Sequence, residues 1–135
     1  MKDQVLSIEK MQKLKELGID ISKAKLYWAK QVNSAKCNDS IDGKPFISLC
    51  KSQMTYGFVR FEVTPTFTLQ DVIELMPCEF WATDGNPYKL EINNKHIGYV
   101  NSMHDYKEPL YYNWNDNLLE NTYNMLVWLA ENKYI

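Results

Sequence analysis

Arginine is almost missing from this chain: Arg60 is the only one among 135 residues. Arginine carries much of phosphate and base recognition through its planar fork, so its scarcity argues against nucleic acid as a partner. Histidine occurs twice, as His96 and His104, and the sequence holds neither a His-Glu-x-x-His nor a paired Cys-x-x-Cys pattern. The three cysteines, Cys37, Cys50 and Cys78, are odd in number and far apart, which suits reduced thiols rather than a disulfide framework. The five glycines are scattered, so there is no glycine-rich phosphate loop. No apolar run approaches the ~20 residues of a membrane span. The opening Met1-Lys2-Asp3-Gln4-Val5-Leu6 has no apolar stretch of signal-peptide length. Together these absences predict a cytoplasmic chain with no metal site, no cofactor and no membrane partner.

What is present is apolar and ring-rich. The chain is 45% hydrophobic and 24% charged, which fits one globular domain over residues 1–135 with a real core and argues against disorder. Nine tyrosines and four tryptophans promise an aromatic core or an aromatic surface. The net charge of −2 hides an asymmetry: residues 1–60 hold eleven Lys/Arg against six Asp/Glu, and residues 61–135 hold four against eleven. One part is therefore +5 and the other −7, a distribution suited to an oriented partner.

The clearest local signal is Thr64-Pro65-Thr66-Phe67-Thr68-Leu69-Gln70-Asp71-Val72-Ile73-Glu74-Leu75-Met76-Pro77. Thr68 is placed to cap a helix, Asp71 puts negative charge on its positive end, and Phe67 can staple onto Val72. Pro77 stops it. A first helix is predicted from Ser7, as N-cap, to Leu17, with Gly18 in the left-handed end position. A last helix is predicted from a cap at Asn115 or Asp116 to about Asn132. Trp128 falls within its polar stripe, either to cover a neighbouring segment or to stand out as an interface anchor.

Strands are predicted at Lys25–Val32, Phe46–Cys50, Phe58–Val63, Phe80–Thr83, Tyr88–Ile92, His96–Val100 and Leu110–Trp114. Asn33 to Pro45 is a long loop, and Asn101 to Pro109 is a second one. The turns at Asp84–Pro87 and Asn93–Lys95 make an antiparallel meander of the strands around them. The expected fold is α+β, an antiparallel sheet of about five or six strands with three helices: N-terminal, mid-chain and C-terminal.

The most specific functional signal is a crowd of rings. Tyr106, Tyr111, Tyr112 and Trp114 fall within nine residues, beside His104 and Asp105. In an alternating strand Tyr112 and Trp114 fall opposite Tyr111, so one set of rings is a candidate for solvent exposure. Exposed Tyr and Trp make contact surfaces at low entropic cost.

Several pieces of the chain resemble a loose group of short uncharacterised proteins of Bacteroides-type genomes and their prophages or mobile elements. The pieces are Ile8-Glu9-Lys10-Met11, Leu17-Gly18-Ile19-Asp20 with Ser22-Lys23-Ala24 and Tyr27-Trp28, Thr66 to Val72 ending at Met76-Pro77, and Met125 to Leu129 with Glu131 to Ile135. They are helix caps and core positions, so the resemblance implies a shared fold and no activity. The expected function is non-enzymatic: a protein-binding or adaptor role, with a protein partner or a second copy, using Tyr106, Tyr111, Tyr112, Trp114, Trp128 and His104. One alternative is a small enzyme with a site around His104 and Asp105. A second is a nucleic-acid accessory using Lys10, Lys13 and Lys15 of the first helix.

Overall fold

The computed structural model describes residues 4–33, 45–49, 54–56, 59–104 and 108–135. Its contacts divide into two compact units, Met1–Glu16 with Asp20–Thr68, and Leu17–Ile19 with Leu69–Ile135.

In the first unit, helix α1 spans Ile8–Glu16. Ser7 caps it as predicted: its Oγ accepts from the Lys10 amide at 3.3 Å. Gly18 follows the helix at φ +87°, the left-handed conformation that a side chain would resist. Met11 and Leu14 are its buried stripe. Strands β1 (Leu26–Asn33), β2 (Phe46–Ser48), β3 (Met54–Tyr56) and β4 (Val59–Thr66) form an antiparallel sheet in the order β2-β1-β4-β3. The long β1–β4 pair runs from Leu26↔Thr66 to Asn33↔Val59. Strand β4 includes Pro65, which cannot donate to a ladder. Among the described residues β3 pairs β4 at Val59 to Phe61 and does not reach Pro65. The segment before α1 lies along the end of β4, with Leu6 N donating to Phe67 O at 3.0 Å. The buried Leu6 carbonyl accepts from Trp28 Nε1 at 2.7 Å and from Thr66 Oγ1 at 2.6 Å.

In the second unit, helix α2 (Leu69–Leu75) begins directly after Thr68, with Val72 buried. Strands β5 (Glu79–Trp81), β6 (Pro87–Ile92), β7 (His96–Asn101) and β8 (Tyr111–Trp114) form an antiparallel sheet in chain order. Helix α3 (Leu118–Glu131) packs on α2 and against β7 and β8. The sheet's covered face carries Ile97 and Tyr99, both fully buried, and Asn101. Tyr99 donates its hydroxyl to the Pro77 carbonyl at 2.7 Å. Asn121 of α3 donates Nδ2 to the Asn113 carbonyl at 3.0 Å.

The α+β class and the three helices hold, but the expected single sheet of five or six strands does not: the strands form two sheets. The reason is local. The turns after β5 and β6 are too short to send either strand anywhere but onto its neighbour. Strand β4 is meanwhile paired along its length by β1, and α2 separates it in sequence from β5. The α3 cap is also corrected. Asn117, not Asn115 or Asp116, accepts from the Glu120 amide, at 3.1 Å. Asn115 instead braces the cap by accepting from Asn117 N at 2.8 Å.

Candidate functional site

Period two sorts the second sheet into two faces. Tyr88, Leu90, Ile97, Tyr99, Asn101 and Tyr111 fall on the face under α3, and the registers Leu90↔Tyr99 and Tyr99↔Tyr111 align them. The opposite face carries Glu79, Trp81, Lys89, Glu91, His96, Gly98, Tyr112 and Trp114. Along β8 burial alternates as the sequence pattern predicts: Tyr111 is half-buried, Tyr112 is 41% exposed and Trp114 62% exposed.

The exposed rings are fixed from beneath. His96 pairs with Trp114 across the β7–β8 ladder. Asn115 N donates to the Lys95 carbonyl at 2.9 Å, which makes the next pair, His96–Trp114, a non-hydrogen-bonded one. Side chains come closest in that class of pair. The His96 ring stacks on Tyr112 at 5.0 Å between centroids and 25° between planes, and it meets Trp114 at 5.2 Å. Tyr112 and Trp114 meet edge-on at 5.9 Å. Covered this way, His96 is only 8% exposed on what is otherwise the open face.

Glu91 reaches the imidazole from β6, its Oε1 lying 3.0 Å from Nε2. Asn93 Nδ2 lies 3.2 Å from the same nitrogen, so Nε2 sits between a carboxylate and an amide. Nδ1 is buried without a hydrogen-bond partner among the described residues. Asn93 holds the strand's start, its Oδ1 accepting from His96 N at 2.9 Å and Lys95 N at 3.0 Å. Gly98, opposite Tyr112, completes the arrangement. A Cβ there would lie 2.7 Å from the Tyr111 carbonyl oxygen and 3.1 Å from the Tyr112 ring.

Tyr111 and Trp128 belong to the covered side. Their rings meet at 5.0 Å, and Trp128 continues to Tyr134 at 5.5 Å. Tyr134 contacts Phe80 at 4.6 Å, and Phe80 meets Tyr99 edge-on at 4.7 Å. Burial pushes the hydroxyls of Tyr99 and Tyr111 above the usual tyrosine range. His104 is half-buried, with its backbone N donating to Asn101 Oδ1 at 3.0 Å. Asp105 and Tyr106 lie outside the described residues, as do Cys37 and Cys50; Cys78 is a free, exposed thiol. Lys13 and Lys15 are exposed on α1, and Lys10 is half-buried, which lowers its pKa.

Among the described residues no three His, Cys, Asp or Glu side chains gather as a metal site. No helix there is long and apolar enough to cross a membrane. An open pocket of about 150 Å3 in the first unit is lined by Ser7, Ile8, Glu9, Trp28 and Pro45. The Ser7 hydroxyl is already engaged as the α1 cap, so little polar chemistry converges there.

No protein-family model, no curated protein and no solved structure matches the chain. The site's meaning therefore rests on its own geometry.

The sequence alone does not bring His96, Glu91 and Gly98 together as one site. Their signal was the alternation His96-Ile97-Gly98-Tyr99-Val100. It puts His96 and Gly98 on the same face as Tyr112 and Trp114 once the turn at Asn93–Lys95 sets the register.

Proposed function

We propose that this chain is a non-enzymatic protein-binding module whose contact surface is the open face of the second sheet, centred on Tyr112 and Trp114. One observation carries the reading: the two most exposed rings of β8 stand side by side, held in place by an imidazole packed beneath them. Rings already immobilised lose little freedom on binding, and Tyr and Trp anchors dominate protein interfaces. Exposed Glu91, registered with Gly98 and in contact with His96, puts a polar group beside this apolar centre.

The test is a display library of genomic protein fragments from the source cell, selected on the immobilised chain. Each enriched fragment is then titrated against wild type and the Tyr112→Ala and Trp114→Ala variants. An anchor ring worth about 2 kcal/mol predicts a loss of roughly 30-fold for at least one variant. Enriched fragments that bind both variants as tightly as wild type would overturn the proposal.

A further inference from the structure

Strand β8 is the last strand of its sheet, so among the described residues one of its edges has no neighbouring strand. Asn115 N bonds to Lys95 O, so by alternation the β8 residues that face β7 are Tyr111 and Asn113. The backbone N–H and C=O groups of Tyr112 and Trp114 point the other way, and among the described residues nothing bonds to them. Edge strands are usually protected by a charge, a proline or extreme shortness. Tyr111-Tyr112-Asn113-Trp114 has no charge and no proline, and its length of four residues is its one protection. The same two residues therefore offer exposed rings on the face and unpaired backbone groups on the edge.

The charges around this edge favour one kind of occupant. Residues 61–135 carry four Lys/Arg against eleven Asp/Glu. Exposed Glu108 and Asp116 flank β8 at its two ends, and Glu91 lies beside His96 on the open face. Lys95, opposite Asn115, offsets the Asp116 end, and Lys89 shares the open face with Glu91, so among the described residues the acidic charge at the edge itself rests on Glu108. A second copy pairing antiparallel about Asn113 would set each Asp116 opposite the partner's Leu110. It would thereby bring Asp116 diagonally near the partner's Glu108, a like-charge contact. A cationic strand meets no such opposition and can also place an ammonium or guanidinium over Trp114.

We infer that β8 is a docking edge for an extended, lysine- or arginine-bearing peptide segment of another protein, added as a fifth strand beside Tyr112 and Trp114. This rests on the proposed binding face and specifies its partner.

The experiment uses three synthetic peptides with the same alternating Val/Thr centre: one flanked by lysines, one flanked by glutamates, and one lysine-flanked but N-methylated at alternate backbone nitrogens. Titrations follow tryptophan fluorescence and the amide resonances of Tyr112 and Trp114. The lysine peptide should bind at least tenfold more tightly than the glutamate peptide, and N-methylation on the pairing edge should weaken it at least tenfold. Glu108→Lys with Asp116→Lys should reverse the flank preference, with the melting temperature confirming the fold. Equal binding of all three peptides with sensitivity to Trp114→Ala would overturn the edge inference and leave the aromatic face intact as a contact surface. No binding of any peptide at millimolar concentration would overturn the inference. A solution mass of twice 15.9 kDa that falls to one chain on Trp114→Lys would assign the edge to a second copy and overturn it too.

Discussion

Gly98→Ala is the sharpest test of how the aromatic surface is built. In most strands this exchange stabilises, because glycine loses about 0.5–1 kcal/mol more conformational freedom on folding than alanine does. Here the added methyl would sit 2.7 Å from the Tyr111 carbonyl oxygen, about 0.7 Å inside the 3.4 Å at which ordinary contact begins. That oxygen belongs to the neighbouring strand's backbone and cannot swing aside as a side chain can. The second contact, Tyr112 Cδ2 at 3.1 Å, belongs to a ring already stacked on His96. Overpacking of this kind costs about 1–3 kcal/mol, so the net effect should be a destabilisation of about 1–2 kcal/mol. At this chain length that corresponds to a melting temperature lower by roughly 3–8 °C. Urea denaturation should show a lower midpoint with an unchanged slope, and the His96 ring protons should move as Tyr112 is displaced. The double variant Gly98→Ala/Tyr112→Ala should keep most of the loss, because the backbone contact remains. A Gly98→Ala protein as stable as wild type, or more so, would refute the close approach of β8 to β7 at this point.

Three further outcomes follow from hydrogen bonds elsewhere. Asn117→Ala removes the acceptor at the start of α3 and should cost about 1 kcal/mol, read by thermal denaturation. The Leu6 carbonyl has two donors, so Trp28→Phe and Thr66→Val should each leave it satisfied, while together they orphan it. A double-mutant cycle should therefore show the pair losing about 1 kcal/mol more than the sum of the singles, and strict additivity would contradict the shared acceptor. Burial raises the Tyr99 pKa above the 10.0 of a free tyrosine, so the folded state holds this proton more tightly than the unfolded state. The stability linked to Tyr99 is thus fully present below pH 10 and declines as pH rises beyond it. Tyr99→Phe should flatten that decline, at a cost of about 1–2 kcal/mol at neutral pH from the unpaired Pro77 carbonyl.

The parts of the fold legible in the sequence are those specified by neighbours along the chain. Ser7 and Gly18 bracket α1 because capping depends on residues within one turn. The strands of the second sheet were readable because short turns force consecutive pairing. The division into two sheets was not readable, since it depends on which strand edge is already occupied, and that is a non-local fact about β1 and β4. Tyr112 and Trp114 were recognisable from alternation alone, but the face that is open is decided by where α3 packs. His96 was visible only as one of two histidines, because its role comes from cross-strand register.

That role explains why the surface rings need a polar group beneath them. An aliphatic side chain at position 96 would stack on Tyr112 and Trp114 equally well in area, but it would offer Glu91 nothing. The imidazole presents a flat face to the rings and a polar edge to the carboxylate, so one side chain ties β6, β7 and β8 together on the open face. Removing its N–H, as in His96→Phe, should keep the ring stack while freeing Glu91, whereas Glu91→Gln should keep a hydrogen-bonding partner and shift little. If the rings matter as a rigid contact surface, binding should survive His96→Phe far better than His96→Ala, which deletes the support outright. Equal losses for the two variants would mean that the Glu91 link, and not the stack, holds the surface in shape.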